Sequence, residues 1–332
     1  MKKSTTVVLI AVFLFCFIGF EGLAANTIII RLGNVVPTSH PENLACEKFK
    51  EIVEEKSDGR IKVEVYPNNQ LGDQVEQLEG TKLGTQEMLM GGTAMVARYY
   101  PKLNVMEIPY LLRDNDTYFR FMNSETGKGF IQGVIDEVNI RPIGYAPRGF
   151  RELTSNKPVY SIKDIQGLKV RVPEAPTLLE FWKSVGASPT PMGFSEVYMA
   201  LATNTIDAQE NPLSLILSAK FFEVQKYVIL TDHTLNMSWL LINEDFYQGL
   251  SDDLKAIVDE AGNEVTQFVQ EVNAEMEKGY VEKLEAEGME FIEVDISEFM
   301  EASKDVYKKF VGPDSFSEDV YKEVQDFVKR PN

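Results

Sequence analysis

The chain has 332 residues, with 51 acidic side chains against 33 Lys plus Arg and a formal charge of −18. That balance argues against a nucleic-acid partner, because neutralising phosphates needs a basic patch. With two His and two Cys in the whole chain, none of the usual Cys/His zinc spacings is present and no metal or cofactor is expected. A hydrophobic content of 44% supplies a sizeable core. At about 100–200 residues per domain, the length predicts two domains.

Residues 1–24 read as a secretory signal peptide. Lys2 and Lys3 form a positive start, Val7 to Phe20 an apolar run, and Gly22-Leu23-Ala24 a small-residue cleavage site. The run is shorter than the ~20 apolar residues that span a bilayer, and Phe15 before Cys16 does not fit a lipid-attachment site. Losing Lys2, Lys3 and Glu21 leaves a mature charge of about −19 and one cysteine, Cys46, so no internal disulfide is expected. Cys46 falls on a helical pattern, as a small core residue. No later stretch is apolar enough to span, so the mature chain is not expected to be embedded in a membrane.

Along the mature chain, Ile28 to Gly33 reads as a buried strand, His40 to Lys56 as a helix, and Ile61 to Tyr66 as a period-two strand. Strand, helix and strand in that order form a βαβ unit. A second helix runs from Asp73 to Leu83 and stops at Gly84, and Met88-Leu89-Met90 is a further strand. Ile143 to Tyr145 and Lys169 to Pro173 read as strands, followed by a helix over Thr177 to Val185. Ser195 is expected to cap a short helix running to Leu201. Val228 to Leu230 and Trp239 to Asn243 are short strands. Ser251 to Glu287 contains no proline and reads as one helix, about 55 Å long at 1.5 Å per residue, which either Gly262 or Gly279 could kink. Two amphipathic helices fill Ile296 to Lys329.

Catalytic signatures are missing. There is no G-x-S-x-G and no Walker A motif. Gly127-Lys128-Gly129 starts like a dinucleotide fingerprint, but Gln132 stands where the third glycine belongs, and the segment reads as a polar turn. Asp114-Asn115-Asp116 lacks the glycine and the glutamate of a calcium loop. His233 beside Asp232 has no nucleophile motif. The chain is not expected to be an enzyme.

Several segments in order carry a resemblance: Gln70-Leu71-Gly72-Asp73, Ile108-Pro109-Tyr110-Leu111, Gly149-Phe150-Arg151, Gly167 to Pro173, Gly186 to Met192, Phe194-Ser195-Glu196-Val197-Tyr198, Asp207 to Pro212, and Phe222 to Tyr227. Together they resemble the extracytoplasmic solute receptors of tripartite ATP-independent periplasmic (TRAP) transporters, the DctP family. The resemblance implies an α/β fold of the two-domain periplasmic-binding-protein type, with a ligand cleft between the domains and a long helix crossing both. The expected division is 25–147 plus 237–276 for domain I and 148–236 plus 277–332 for domain II. It also implies location in the periplasm, capture of an organic acid by cleft closure, and delivery to the small and large TRAP permease subunits.

Alternation within Lys169 to Pro173 sets Arg171 on the opposite face from Val170 and Val172. If the valines face the core, Arg171 faces a cleft. The resemblance makes it the carboxylate-pairing arginine, a role that suits its planar fork. Arg151, in the Gly149-Phe150-Arg151 turn, matches a second ligand-facing arginine, with Arg148 as its local competitor. Asn211 supplies an amide able to donate and accept, though it also suits a turn before Pro212. Phe194 matches an aromatic lying against the ligand. Pro173 and Glu210 come from the same motifs.

In the first domain, the resemblance to sialic-acid receptors weakens. Met95 aligns with an arginine there, Val35 with an asparagine, Gly92 with a glutamate and Gln74 with an aspartate. His40, Gln74, Gln77, Thr93 and Met95 remain as first-domain candidates. Asn236 and Trp239 lie on an expected cleft-edge strand, where the tryptophan face suits a sugar ring. The favoured ligand is a hexuronate such as glucuronate or galacturonate. Sialic acid, another sugar acid and a C4-dicarboxylate are alternatives, as are a secreted carboxylate-binding enzyme and a signalling receptor.

Overall fold

The strands read from the sequence all form, and their pairing creates two connected sheets. The structure, a computed structural model, describes residues 27–329, so the expected signal peptide lies outside the described residues. β1 (Ile28–Gly33), α1 (Pro41–Lys56) and β2 (Ile61–Tyr66) make the βαβ unit, with β1 and β2 parallel. α2 (Gln74–Leu83) starts at a reciprocal capping box between Asp73 and Glu76 and ends on Gly84 in the left-handed region. β3 (Met88–Gly92) runs parallel to β1 and leads into the short α3 (Thr93–Val96). α4 (Asn115–Met122) and α5 (Glu125–Val138) follow.

β4 (Ile140–Ser155) is the element that joins the halves. In the second half come β5 (Lys169–Val172), α6 (Pro176–Ser184), β6 (Ser188–Pro191), α7 (Val197–Ala202), β7 (Ala208–Pro212), α8 (Leu213–Ser218) and β8 (Tyr227–Leu230). β9 (Leu235–Asn243) returns to the first half, followed by α9 (Glu244–Gly249) and α10 (Asp252–Ala286). The chain ends with β10 (Glu290–Glu293), α11 (Ile296–Ser303) and α12 (Glu318–Lys329). The strand order is β2-β1-β3-β9-β4-β7-β5-β6, with β8 between β4 and β10. β4 pairs with β9 over its first two thirds, with β7 over its last five residues, Arg151 to Ser155, and with β8 over the last three of these. One continuous strand therefore belongs to both halves.

α10 also belongs to both. Leu254, Val258, Ala261, Val265 and Val269 bury in the core of the first half, whereas Leu284 buries in a core of the second. The helix is continuous through Gly262. That glycine serves close approach rather than a kink: a Cβ there would lie 2.1 Å from the Ile143 carbonyl oxygen of β4. The tail divides differently from the expectation that placed all of 277–332 with the second half. Phe316 and Val324 bury in a first-half core, and Phe327 meets the Phe121 ring edge-on at 5.6 Å. The amphipathic face of α12 has its apolar partner there.

Three local readings are corrected. Gly127 to Gly129 lies inside α5, where Gly127 lets the helix pass against the end of α4: a Cβ would sit 2.3 Å from the Phe121 carbonyl oxygen. Gly149-Phe150-Arg151 is part of β4 rather than a turn, because β9 pairs with it. A register shift between Pro147 and Gly149, with Gly149 at φ +86°, bends the strand there. Ser195 does not cap a helix. It lies in a 3₁₀ turn, Phe194–Glu196, that precedes α7.

Candidate ligand-binding site

Where β4 passes from one half to the other, it carries Arg151 next to β7, which carries Glu210 and Asn211. Asn211 is therefore a strand residue and makes no turn before Pro212. Arg151 is 4% exposed and Glu210 wholly buried. The guanidinium donates from Nε to Glu210 Oε2 at 2.5 Å and from Nη2 to Oε1 at 2.8 Å. Nη2 also donates to Asn211 Oδ1 at 3.0 Å. The other end of the Asn211 amide donates to Gln209 Oε1 at 2.5 Å.

His233 completes this cluster. It is fully buried, stacks on Phe181 with ring centroids 5.0 Å apart, and places Nε2 2.9 Å from Glu210 Oε2. Burial pushes the imidazole below its usual range despite the adjacent carboxylate. The ring is thus neutral, with Nε2–H donating to Glu210 and Nδ1 accepting from the Thr231 hydroxyl at 2.9 Å. Burial alone would raise the Glu210 carboxyl, but the Arg151 charge and the bonds from His233 and Arg151 hold it below the usual carboxylate range. These partners make the Arg151–Glu210–His233 cluster a self-satisfied unit.

Arg171 differs from Arg151. Val170 and Val172 are fully buried in the second-half core, so alternation turns Arg171 away from it. Its Nε and Nη2 both donate to the Met192 carbonyl oxygen, at 3.0 and 2.6 Å. No carboxylate among the described residues pairs with it. Burial lowers the guanidinium to about 9, so it keeps its charge at neutral pH. A buried, charged fork hydrogen-bonded only to a carbonyl oxygen is suited to an incoming anion.

Arg171 opens onto a cavity of about 40 Å³ that Arg151, Asn211, Phe194, Pro173 and Gln74 also line. A neighbouring cavity of similar volume adds Met95. Both halves of the molecule contribute, and they are in contact. His40 Nε2 lies 3.2 Å from Ser214 Oγ, Arg98 pairs with Glu174, and Val35 and Val36 form an apolar cluster with Leu215. A space of this size has room for a few waters and is smaller than a sugar acid.

Several expected residues stand elsewhere. Trp239 is fully buried in the first-half core, with Nε1 donating to Tyr118 Oη at 2.8 Å and its ring edge-on to Tyr145, so it has no face for a sugar. Thr93 donates to the Met237 carbonyl oxygen, and Gln77 donates to that of Gly72. His40 caps α1 by accepting from the Glu42 N–H. Asn236 accepts from Arg148 at the long distance of 3.5 Å, and Glu210 stands behind Arg151. Sequence reasoning gave Arg148 and Arg151 as rivals, yet both line the cavity, as do Val35, Val36 and Leu215. Cys46 is buried against Asn34 and Met90, and burial pushes its thiol up to about 12, which leaves it unreactive.

A larger cavity of about 400 Å³ is bordered by Arg148, Phe150, Glu152, Asp232, Glu277 and Tyr280. Its charged lining is Asp116, Glu152, Asp232 and Glu277 against Arg148, a balance that disfavours a carboxylate. The smaller, arginine-lined space is the better candidate for an anion.

Glu107 supplies a pH test of this region. It is 2% exposed, its Oε2 has no partner, and burial, partly offset by Arg151, raises its carboxyl to about 7. The native state therefore holds it neutral while the unfolded chain ionises it at about 4.3. Its stabilising contribution is complete below that value and is lost as pH rises towards 7. Relative to Glu107→Gln, the wild type should lose stability between pH 5 and 7 and lose little more above 7.5. Urea midpoints of both proteins at these three pH values check this, and a pH-independent difference contradicts it.

Comparison with known proteins gives matches over most of the chain. A model of the bacterial extracellular solute-binding proteins, family 7 (DctP), matches residues 32–313. The chain is 37% identical over 291 residues to the sialic acid-binding periplasmic protein SiaP of Vibrio cholerae, covering 86% of this chain and 89% of that one. Among solved structures, a TRAP periplasmic solute-binding protein of Roseobacter denitrificans with bound L-galactonate superposes with a TM-score of 0.85. It is 35% identical and is covered to 99%, against 91% of this chain. One from Sulfitobacter with bound β-D-galacturonate gives 0.84 at 28% identity, covering 90% of this chain and 98% of the other.

Proposed function

The chain belongs to family 7 of the bacterial extracellular solute-binding proteins, the receptors of TRAP transporters, and from that premise we propose that it captures a sugar acid in the cleft between its two halves. The observation that carries this reading is Arg171, buried and charged without a carboxylate of its own. A ligand carboxylate accepts two parallel hydrogen bonds from such a fork, which compensates the desolvated charge. Asn211 stands beside it with one amide N–H left for the same carboxylate or a neighbouring hydroxyl. Phe194 gives the carbon skeleton an apolar wall.

Closure follows from where the cavity lies. Gln74, Val35 and Val36 come from the first half and Arg171, Phe194 and Leu215 from the second, so a bound acid links the two. β4 and β9, bent near Gly149, act as the hinge. The closed form is then presented to the membrane permease subunits in the periplasm. Among the described residues, no helix is long and apolar enough to cross a membrane.

Hexuronates and the related aldonates are the favoured ligands, since relatives of the same fold are solved with L-galactonate and β-D-galacturonate. The sialate reading is weaker, because Met95 and Val35 give the cavity apolar groups where polar contacts would be needed. A thermal-shift screen with L-galactonate, glucuronate, galacturonate, sialate, succinate and 2-oxo acids tests the assignment. A ligand at a hundred times its Kd stabilises by about 2.7 kcal/mol, so binding gives a clear shift. Stabilisation by sugar acids is expected, and a screen in which no sugar acid shifts the midpoint overturns the assignment.

A further inference from the structure

Arg148 is the third arginine of the cavity, and its surroundings differ from those of the other two. Its side chain is 7% exposed, and Nη2 pairs with Oε2 of Glu42, itself 1% exposed. Ser238 Oγ also donates to that oxygen, at 3.1 Å. Arg148 Nε and Glu42 Oε1 are both buried without a partner, as is Nε2 of Gln74, which lines the cavity next to Arg148. Burial and the nearby Arg151 charge lower the Arg148 guanidinium to about 9, which leaves it charged at neutral pH. Buried polar groups are ordinarily satisfied, so unsatisfied donors on two residues that line the cavity, with an unpartnered oxygen on the carboxylate that Arg148 bonds, mark what the ligand brings.

We propose that the Arg148–Glu42 pair, with Gln74, is a hydroxyl-reading subsite that selects polyhydroxylated monocarboxylates over dicarboxylates. This rests on the reading that Arg171 receives the ligand carboxylate. A hydroxyl both donates and accepts. Arg148 Nε–H and Gln74 Nε2 offer donors at the cavity, and Glu42, bonded to Arg148, keeps Oε1 as an acceptor. Charge points the same way. Arg148, Arg151 and Arg171 face Glu42 and Glu210 as their paired carboxylates, which leaves one positive charge, matched by one ligand carboxylate. A second carboxylate would meet an arginine already neutralised by Glu42, in a desolvated space where like charges repel strongly.

Titration calorimetry with L-galactonate and with galactarate, its diacid of the same chain length, tests this on the wild type, Glu42→Gln, and Glu42→Gln/Arg148→Gln. The wild type is expected to prefer galactonate at least tenfold. Glu42→Gln removes the anion and frees Arg148, so it should shift the ratio towards galactarate by tenfold or more. The double variant keeps the net charge of the site. It should bind galactonate at least tenfold more weakly without gaining galactarate. If the wild type binds neither acid, the subsite falls together with the reading it rests on. If galactonate binds but the ratio is unchanged in Glu42→Gln, the subsite alone is overturned. Should that variant fail to fold, wild-type galactonate affinity in the double variant overturns it equally.

Discussion

Arg171→Ala should weaken sugar-acid binding by at least about thirtyfold, while the ligand-free protein melts at the wild-type temperature or above it. The first part follows from truncating one partner of a desolvated charge pair, which costs roughly 2–5 kcal/mol, and 1.4 kcal/mol is about a factor of ten. The second follows from the apo surroundings. Arg171 is 3% exposed and bonds only the Met192 carbonyl oxygen, so folding desolvates its charge without an ionic partner. Removing it removes that cost. A binding residue kept at the expense of stability shows this opposition. Calorimetric titration and a thermal melt of the same variant read both parts. Wild-type affinity would mean that the carboxylate is held elsewhere, and a large loss of apo stability would make Arg171 a structural residue.

Glu210→Ala should do the reverse and destabilise the ligand-free protein by about 3–5 kcal/mol, because it leaves a buried charge uncompensated. Arg151 loses both bonds to the carboxylate, and His233 loses the acceptor for Nε2. Neither can turn to water, since His233 is fully buried and Arg151 is 4% exposed. Binding should weaken as well, because Arg151 would no longer be held at the cavity wall. The carboxyl of Glu210 is held below its usual range, so its contribution is present above the unfolded value and is lost as pH falls through the lowered native one. The gap between wild type and variant should therefore shrink under acid. Urea unfolding at pH 7.5 and at pH 4 measures it. A gap below about 1 kcal/mol at pH 7.5, the scale of an exposed ion pair, would contradict the account.

The two arginines also show where sequence reasoning reaches its limit. The direction of Arg171 was legible by alternation once its flanking valines were placed in the core, while its carboxylate-pairing role came from the family resemblance. The βαβ start, the capped α2 and the long α10 were legible for similar reasons, since local periodicity and caps carry them. β4 was read only in part. Its sixteen residues include two prolines and two glycines, which break a strand pattern, and only the bulged pairing with β9 makes them a strand. With β4 obscured, Arg148 and Arg151 looked like rivals on a turn, whereas the bend at Gly149 lets both reach the cavity. Trp239 failed for the opposite reason. Its strand was found, but β9 runs through the centre of the sheet between β3 and β4, so a residue assigned to an edge lies in the core. Glu42 carried no sequence signal at all: an acidic residue in a first helical turn is ordinary, and its partner is 106 positions away.

The net charge of −18 describes the exterior of this molecule and not the cleft, where three arginines gather. Steering of an anion by the whole surface is adverse, but it is screened over about 8 Å at physiological salt. Recognition therefore depends on short-range, desolvated hydrogen bonds.

The most direct measurement is a crystal structure with the sugar acid that gives the largest thermal shift. The account predicts the acid enclosed between the two halves, its carboxylate within hydrogen-bond distance of both Arg171 and Asn211 and its carbon chain running towards Gln74 and Arg148. An acid bound in the larger cavity bordered by Glu152, Asp232 and Glu277, or one whose carboxylate makes no contact with Arg171, would contradict it.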